Sequence, residues 1–429
     1  MIDEKKLNKL REEYNKNDRN IIKHRIFNKV SLIDLVTDKD TIINMNFSLE
    51  LKTHNIINQN NSGRCWSFAG LNILREKIID KCNLDDFILS GSYIAFYDKL
   101  ERFNSLMERL INYKKDGKDL YDRYVSYTLE NGITDGGYYT QFANLVNKYG
   151  IVPNDIYPES FQSSNTYEIN LILSRLLRKF YLDLESCNHV DKLKNDYLEK
   201  VYNLLSDIYG NVPTKFDFEY TDKDSKYHID KDLTPIDFYN KYVGIDLFND
   251  FVCLSSYEDN KYKLSNMYKF EQSNRISGTD DNVVLNIGMD RIKELILKQL
   301  ENKEYVYIYS CTTSKRTDGV WNDILEKYSE LFDIDLVLDH NDIIKTNALT
   351  GMHAMIITGV NLVDGKPNRW KLENSWGEKC GKNGYYIATN SYIDKYLYGA
   401  VINKKYLNKE ELKLLEKQPI MISKWDAKF

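Results

Sequence analysis

The sequence predicts an α+β fold in which helices lead and strands follow. Three observations support this. Helical apolar periodicity dominates from residue 65 to about 300; from residue 353 the pattern alternates with a period of two; and no Pro/Gly/Ser linker or internal repeat cuts the chain into independent units.

Taken in order, residues 1–20 are charged and read as an exposed helix or arm. Residues 65–80, "CWSFAGLNILREKIID", are apolar nearly all round for two turns and then become charged. This predicts a helix whose N-terminus is buried and carries Cys65. Residues 90–112 suit a second helix, with Ser90 as its N-cap. "DGGYYTQFANLVNKYG" starts with a glycine turn, continues as an amphipathic helix and stops at Gly150. Residues 167–210 are mostly helical by periodicity, and 286–302 form another helix. "YVYIYSC" (305–311) alternates as a strand. "HAMIITGVNL", "RWKLEN" and "GYYIATN" read as strands with glycines at the breaks. A short helix over 408–417 precedes an extended tail ending at Phe429.

The chain has 429 residues, 42% hydrophobic and 29% charged, with a formal net charge of −5. That suffices for one large core or two to three smaller ones. The charge balance argues against a dedicated nucleic-acid binder. No run of eighteen apolar residues suggests a membrane helix, and the charged start lacks the apolar segment of a secretory signal. Cys65, Cys82, Cys187, Cys253, Cys311 and Cys380 are widely spaced, with no CxxC pair. Free thiols in a reducing cytoplasm are the expectation, and no metal or cofactor is expected.

The chemistry centres on "NQNNSGRCWSFAG" (58–70). A thiol attacks carbonyls as a thiolate, and a helix N-terminus with a neighbouring imidazolium lowers its pKa. Cys65 stands where a helix begins. Of six histidines, His353 opens a strand and would project from a rigid edge. Asn374, in "ENSWGEKCGKNGYY", suits the amide that orients such a histidine, and Trp376 would shield that contact from water. The side-chain NH2 of Gln59, with the Cys65 backbone N–H, suits stabilisation of an oxyanion. Each residue alone has a plainer reading: a buried cysteine beside Trp66, a satisfied core histidine, a turn. Together, three separate segments each carry a group that one mechanism needs.

"NQNNSGRCWSFA", "GMHAMIITGV" and "LENSWGEKCGKNGYY" resemble the active-site segments of papain-like cysteine peptidases, most closely the bleomycin hydrolase and bacterial aminopeptidase C branch. "LSGSYIAFYDKLER", "DGGYYTQFANLVNKYGIVPNDIYPES" and "LEKQPIMISKWDAKF" extend the likeness over nearly the whole chain. Ser62 stands where secreted relatives have a disulfide cysteine. The resemblance implies a two-lobed papain-like fold: a helical lobe with Cys65 and a β-barrel-like lobe with His353 and Asn374. It implies Cys65 as nucleophile, His353 as general base and acid, Asn374 as orienting group and Gln59 as oxyanion donor, with Trp66 and Trp376 supporting. It assigns Gly136 and Gly137 to the substrate backbone; the plain reading of that pair is a helix-start turn. The Cys-to-His interval exceeds the roughly 130–150 residues usual in papain-like enzymes by about 140, which fits helical insertions.

The expected organisation is an N-terminal arm (1–50), a helical catalytic lobe (51–160), mainly helical insertions for oligomerisation (161–300), a β-rich catalytic lobe (301–407), and a helix and tail reaching the active site (408–429). The implied function is that of a cytoplasmic cysteine aminopeptidase acting on peptides with a free N-terminus. The resemblance further implies a homohexameric ring, and a tail that holds the substrate's ammonium through the carboxylate of Phe429. That tail here ends "KWDAKF", shorter than is usual in the branch. An open-cleft endopeptidase or omega-peptidase is the second reading, and a ring-forming protein binding nucleic acid or peptides the third. Neither membrane nor nucleic acid is an expected partner.

Overall fold

A computed structural model describes residues 1–37, 44–312, 319–348 and 351–426. The helix Cys65–Cys82 runs through its centre. Trp66, Phe68, Leu71, Leu74 and Ile78 are buried on it, so it has no solvated face over its first three turns. Arg75 and Glu76, which the pattern gave to a charged end, are each 1% exposed. The helix stops at Asn83, whose φ of 52° lies in the left-handed region that asparagine tolerates.

Ser90 caps the next helix, Gly91–Lys115, by accepting from the Tyr93 N–H at 3.0 Å. Its hydroxyl is buried and also donates to the Tyr157 carbonyl. Ser90→Ala therefore strands two backbone groups and should cost about 1–2 kcal/mol, read from the midpoint of urea unfolding.

Glycine ends the helix Tyr139–Tyr149, as expected. The segment 167–210 is two helices, Tyr167–Glu185 and Val190–Tyr209, broken at Ser186–His189. Next comes a hairpin that periodicity did not reveal, Phe216–Thr221 with Tyr227–Leu233. Its Phe216 and Phe218 pack edge-on against Phe238 of the helix Pro235–Tyr242.

The remaining strands of the described residues form one large sheet. Its order is Ile420–Ile422, Asn266–Phe270, Val283–Asn286, Phe251–Ser255, Leu397–Asn403, Val306–Cys311, Met352–Val363, Lys366–Glu373, Tyr385–Thr389 and Val320–Trp321. Leu49–Glu50 joins Met352–Val363 from the side. Apart from Leu49–Glu50, the strands of this sheet run from residue 251 onward, with Phe251–Ser255 paired to Leu397–Asn403. Period-two alternation divides the core. Tyr307, Ala354, Ile356 and Val401 join the helical cluster around Trp66. Val306, Ile308, Met355 and Ile357 face the other way, with Trp321, Trp370 and the helix Met289–Glu301. One sheet face therefore lies directly on the Cys65 helix.

The N-terminal arm forms the helices Glu4–Asn15, Asp18–Phe27 and Leu32–Val36, none of which buries a residue. Phe27 touches Phe332.

Candidate active site

Cys65 is the first residue of its helix, where backbone N–H groups have no partner one turn back. Tyr307 on the sheet donates its hydroxyl to the Trp66 carbonyl at 3.0 Å, and the Trp66 indole donates to the Asp135 carbonyl at 2.8 Å. These contacts hold the helix start against both neighbours. Burial pushes the Cys65 thiol up, while the N–H groups of Ala354, Trp66 and Cys65 itself pull it back.

The strand Met352–Val363 brings His353 to this point. Ala354, the next residue, lies with its N–H 3.5 Å from Cys65 Sγ. The neighbouring strand pairs Leu372 with Ile357 and Glu373 with Ile356. Continuing that register delivers Asn374 and Trp376 beside His353. His353 Nε2 lies 2.6 Å from Asn374 Oδ1. The Ser375 N–H donates to the same oxygen at 2.7 Å. An N–H donor needs an oxygen there, so the carboxamide is oriented and Nε2 must carry the proton. Nδ1 is then the unprotonated ring nitrogen. Trp376 covers the pair, its ring 4.8 Å from the imidazole at 31°. Both His353 and Asn374 are buried.

Gln59 is held by the same segment: its backbone N–H donates to the Ser375 carbonyl at 2.8 Å, and Ser375 Oγ donates to its Oε1 at 2.8 Å. One N–H of its amide goes to the Ser62 carbonyl at 2.7 Å. The other remains for a ligand. Gly137 sits on the indole of Trp66, where a Cβ would stand 2.5 Å from the ring. Gly136 is open on its Cβ side, and its carbonyl accepts from Arg102 at 3.1 Å and from Arg275. The structure thus brings Cys65, Trp66, His353, Asn374, Trp376, Gln59, Gly136 and Gly137 together. Phe429 lies outside the described residues.

Sequence reasoning missed what holds the loop before Cys65. Arg64 is 3% exposed and grips Glu159 with two hydrogen bonds of 3.0 and 2.9 Å. Its Nε donates to Ser62 Oγ at 2.9 Å, and that hydroxyl donates to the Gln59 carbonyl at 2.5 Å. Ser62 therefore does more than replace a cysteine. The signal lay in the "SGR" of the motif, but its partner Glu159 is distant in sequence. Asp135, ahead of the glycine turn, is also anchored. Burial would raise its carboxyl, yet the Lys99 ammonium 2.5 Å away, with Thr166 and Asn170, holds it well below the usual range.

The described tail forms the strand Ile420–Ile422, parallel to Asn266–Phe270. Trp425 packs on Tyr124 and Tyr127 beneath the Arg123 guanidinium, and Asp426 accepts from Tyr262 at 2.7 Å.

A model of the Peptidase C1-like family matches residues 1–428. Aminopeptidase C of Lactobacillus helveticus is 37% identical over 392 residues, covering 89% of this chain and 87% of that protein. Aminopeptidase E of the same organism is 34% identical over 436 residues, covering 98% of each. The crystal structure of PepW from Lactobacillus rhamnosis superposes with a TM-score of 0.91 at 33% identity, covering 99% of this chain and 98% of that one.

Proposed function

The chain belongs to the Peptidase C1-like family and is a cysteine aminopeptidase, and from that premise we propose that its chemistry runs through Cys65, His353, Asn374 and Gln59. The observation that carries the residue assignment is the contact of His353 Nε2 with Asn374 Oδ1, on a strand end whose next N–H meets Cys65 Sγ.

His353 Nδ1 takes the Cys65 proton. The thiolate attacks the carbonyl of the substrate's first residue. The Cys65 N–H and the free N–H of the Gln59 amide hold the resulting oxyanion. His353 protonates the leaving amine, which departs and leaves a thioester. Water, deprotonated by His353, then releases the amino acid and restores the thiol. Asn374 keeps the imidazole in the required tautomer throughout, and Gly136 and Gly137 line the substrate backbone.

We assign the choice of free N-termini to the tail; the anchoring of Lys424–Asp426 supports a fixed tail path. Two fluorogenic amides of one amino acid test this, one with a free amine and one acetylated. Cleavage of the free-amine substrate alone is expected. Comparable cleavage of the acetylated one would remove the tail from the account and make the protein an open-cleft peptidase.

Among the described residues no disulfide forms, which supports a cytoplasmic location. No helix of the described residues is long and apolar enough to cross a membrane. The exposed Leu7, Leu10, Ile21, Ile22 and Ile26 of the N-terminal arm support assembly into a homo-oligomer, a hexamer by family likeness.

A further inference from the structure

Glu373 immediately precedes Asn374, and its side chain is wholly buried. A buried carboxylate is retained only where something holds it. Its partners are not on its own strand. Asn72 Nδ2 donates to Oε1 at 2.8 Å, and Arg75 Nη2 reaches the same oxygen at 3.2 Å. Both residues lie on the Cys65 helix, two to three turns below the thiol. One carboxylate therefore ties the element carrying the nucleophile to the residue next to the imidazole's partner.

The tie is itself braced. Arg75 donates through Nε and Nη2 to Glu76 Oε1 at 2.9 and 2.6 Å, and through Nη1 to the Asn55 carbonyl at 2.5 Å. Glu76 also accepts from the His54 N–H at 3.0 Å, and its other oxygen lies 2.7 Å from His54 Nδ1. Thr53, bonded to the Tyr385 hydroxyl at 2.6 Å, sits beside Glu373. Segment 53–55, the Cys65 helix and the sheet thus meet in one polar cluster. A guanidinium shared by two carboxylates is rigid because each N–H direction is used. Burial raises the Glu373 carboxyl, and Arg75 draws it back.

We propose that Glu373 is a positioning residue: its bonds to Asn72 and Arg75 set how far the Asn374–His353 pair stands from Cys65. The inference rests on the assignment of Cys65, His353 and Asn374 as the reacting set. A displacement of about 1 Å in such a set can cost on the order of 100-fold in rate.

The test uses Glu373→Ala, Glu373→Gln and Asn72→Ala in the full chain. Each is assayed for kcat and KM on a free-amine amide and for Cys65 alkylation by iodoacetamide between pH 5 and 9. Glu373→Ala and Asn72→Ala should lower kcat by about 10- to 100-fold with KM within about twofold. They should also lose the alkylation that a thiolate–imidazolium pair supports at acidic pH. Glu373→Gln keeps an acceptor for both donors and should stay within about threefold of wild type in kcat, with its alkylation profile unchanged. If Glu373→Ala fails to fold, Asn72→Ala decides. A folded variant of either kind with wild-type kcat and alkylation profile overturns the proposal, as does a loss confined to KM. Alkylation reports on Cys65 without any substrate. Wild-type cleavage that survives Cys65→Ala would instead sink the assignment of the reacting set.

Discussion

Cys65→Ala is expected to abolish amide cleavage, by on the order of 10^4-fold or more in kcat/KM, while the protein stays folded. The substitution removes one sulfur at a helix start and leaves the indole of Trp66 and its hydrogen bond in place. No other thiol can substitute, because the thioester requires a sulfur within reach of His353. His353→Ala should approach the same loss by a different route. Burial pushes the Cys65 thiol up, and without an imidazolium only the backbone N–H groups oppose that effect. Iodoacetamide should therefore alkylate Cys65 in this variant only well into the alkaline range, whereas the wild type reacts from acidic pH upward. Equal alkylation profiles for wild type and His353→Ala would show that the two side chains are not coupled, and the mechanism would have to be redrawn.

Gly150→Ala should be among the most damaging single-methyl changes in the chain. Gly150 has φ +74° and ψ −159°, a region open almost only to glycine. An added Cβ would stand 2.2 Å from the carbonyl carbon of Pro235, which is backbone and cannot swing aside. Conformational strain of about 1–3 kcal/mol and overpacking of about 1–3 kcal/mol combine to roughly 2–6 kcal/mol. Gly117→Ala is the control. It has the same φ of +74° but meets nothing within 4 Å, so it should show only the strain, about 1–2 kcal/mol. Urea unfolding midpoints decide the matter. Equal losses at the two positions would mean that the helix Pro235–Tyr242 yields, and that the contact is not a fixed constraint.

The two glycines show where sequence reading stops. Gly150 was legible as a helix end, since glycine after an amphipathic run is a local signal. That it also seats a turn of the insertion was not legible, because Pro235 lies far along the chain. The site divides in the same way. The candidate site residues Cys65, His353, Asn374, Gln59 and Gly137 were readable because each proposed group sits in a short motif whose chemistry is local: a thiol at a helix start, an imidazole at a strand edge, an amide beside a tryptophan. The groups that aim them were not. Arg64 reaches Glu159, Asn72 and Arg75 reach Glu373, and Tyr307 reaches the Trp66 carbonyl. Each of these bonds joins residues about a hundred or more positions apart, so no periodicity or spacing encodes it. The hairpin Phe216–Thr221 with Tyr227–Leu233 went unseen because its outer face is polar and its inner face waits for Phe238. By itself, then, the sequence determined the type of most elements, the candidate reacting groups and the family. Only the tertiary structure decided that the Cys65 helix lies on one sheet face, that Arg75 and Glu76 are buried, and that the Glu373 carboxylate ties that helix to the strand end before Asn374. Reactivity is written into side-chain type, whereas position depends on which distant surfaces pack together.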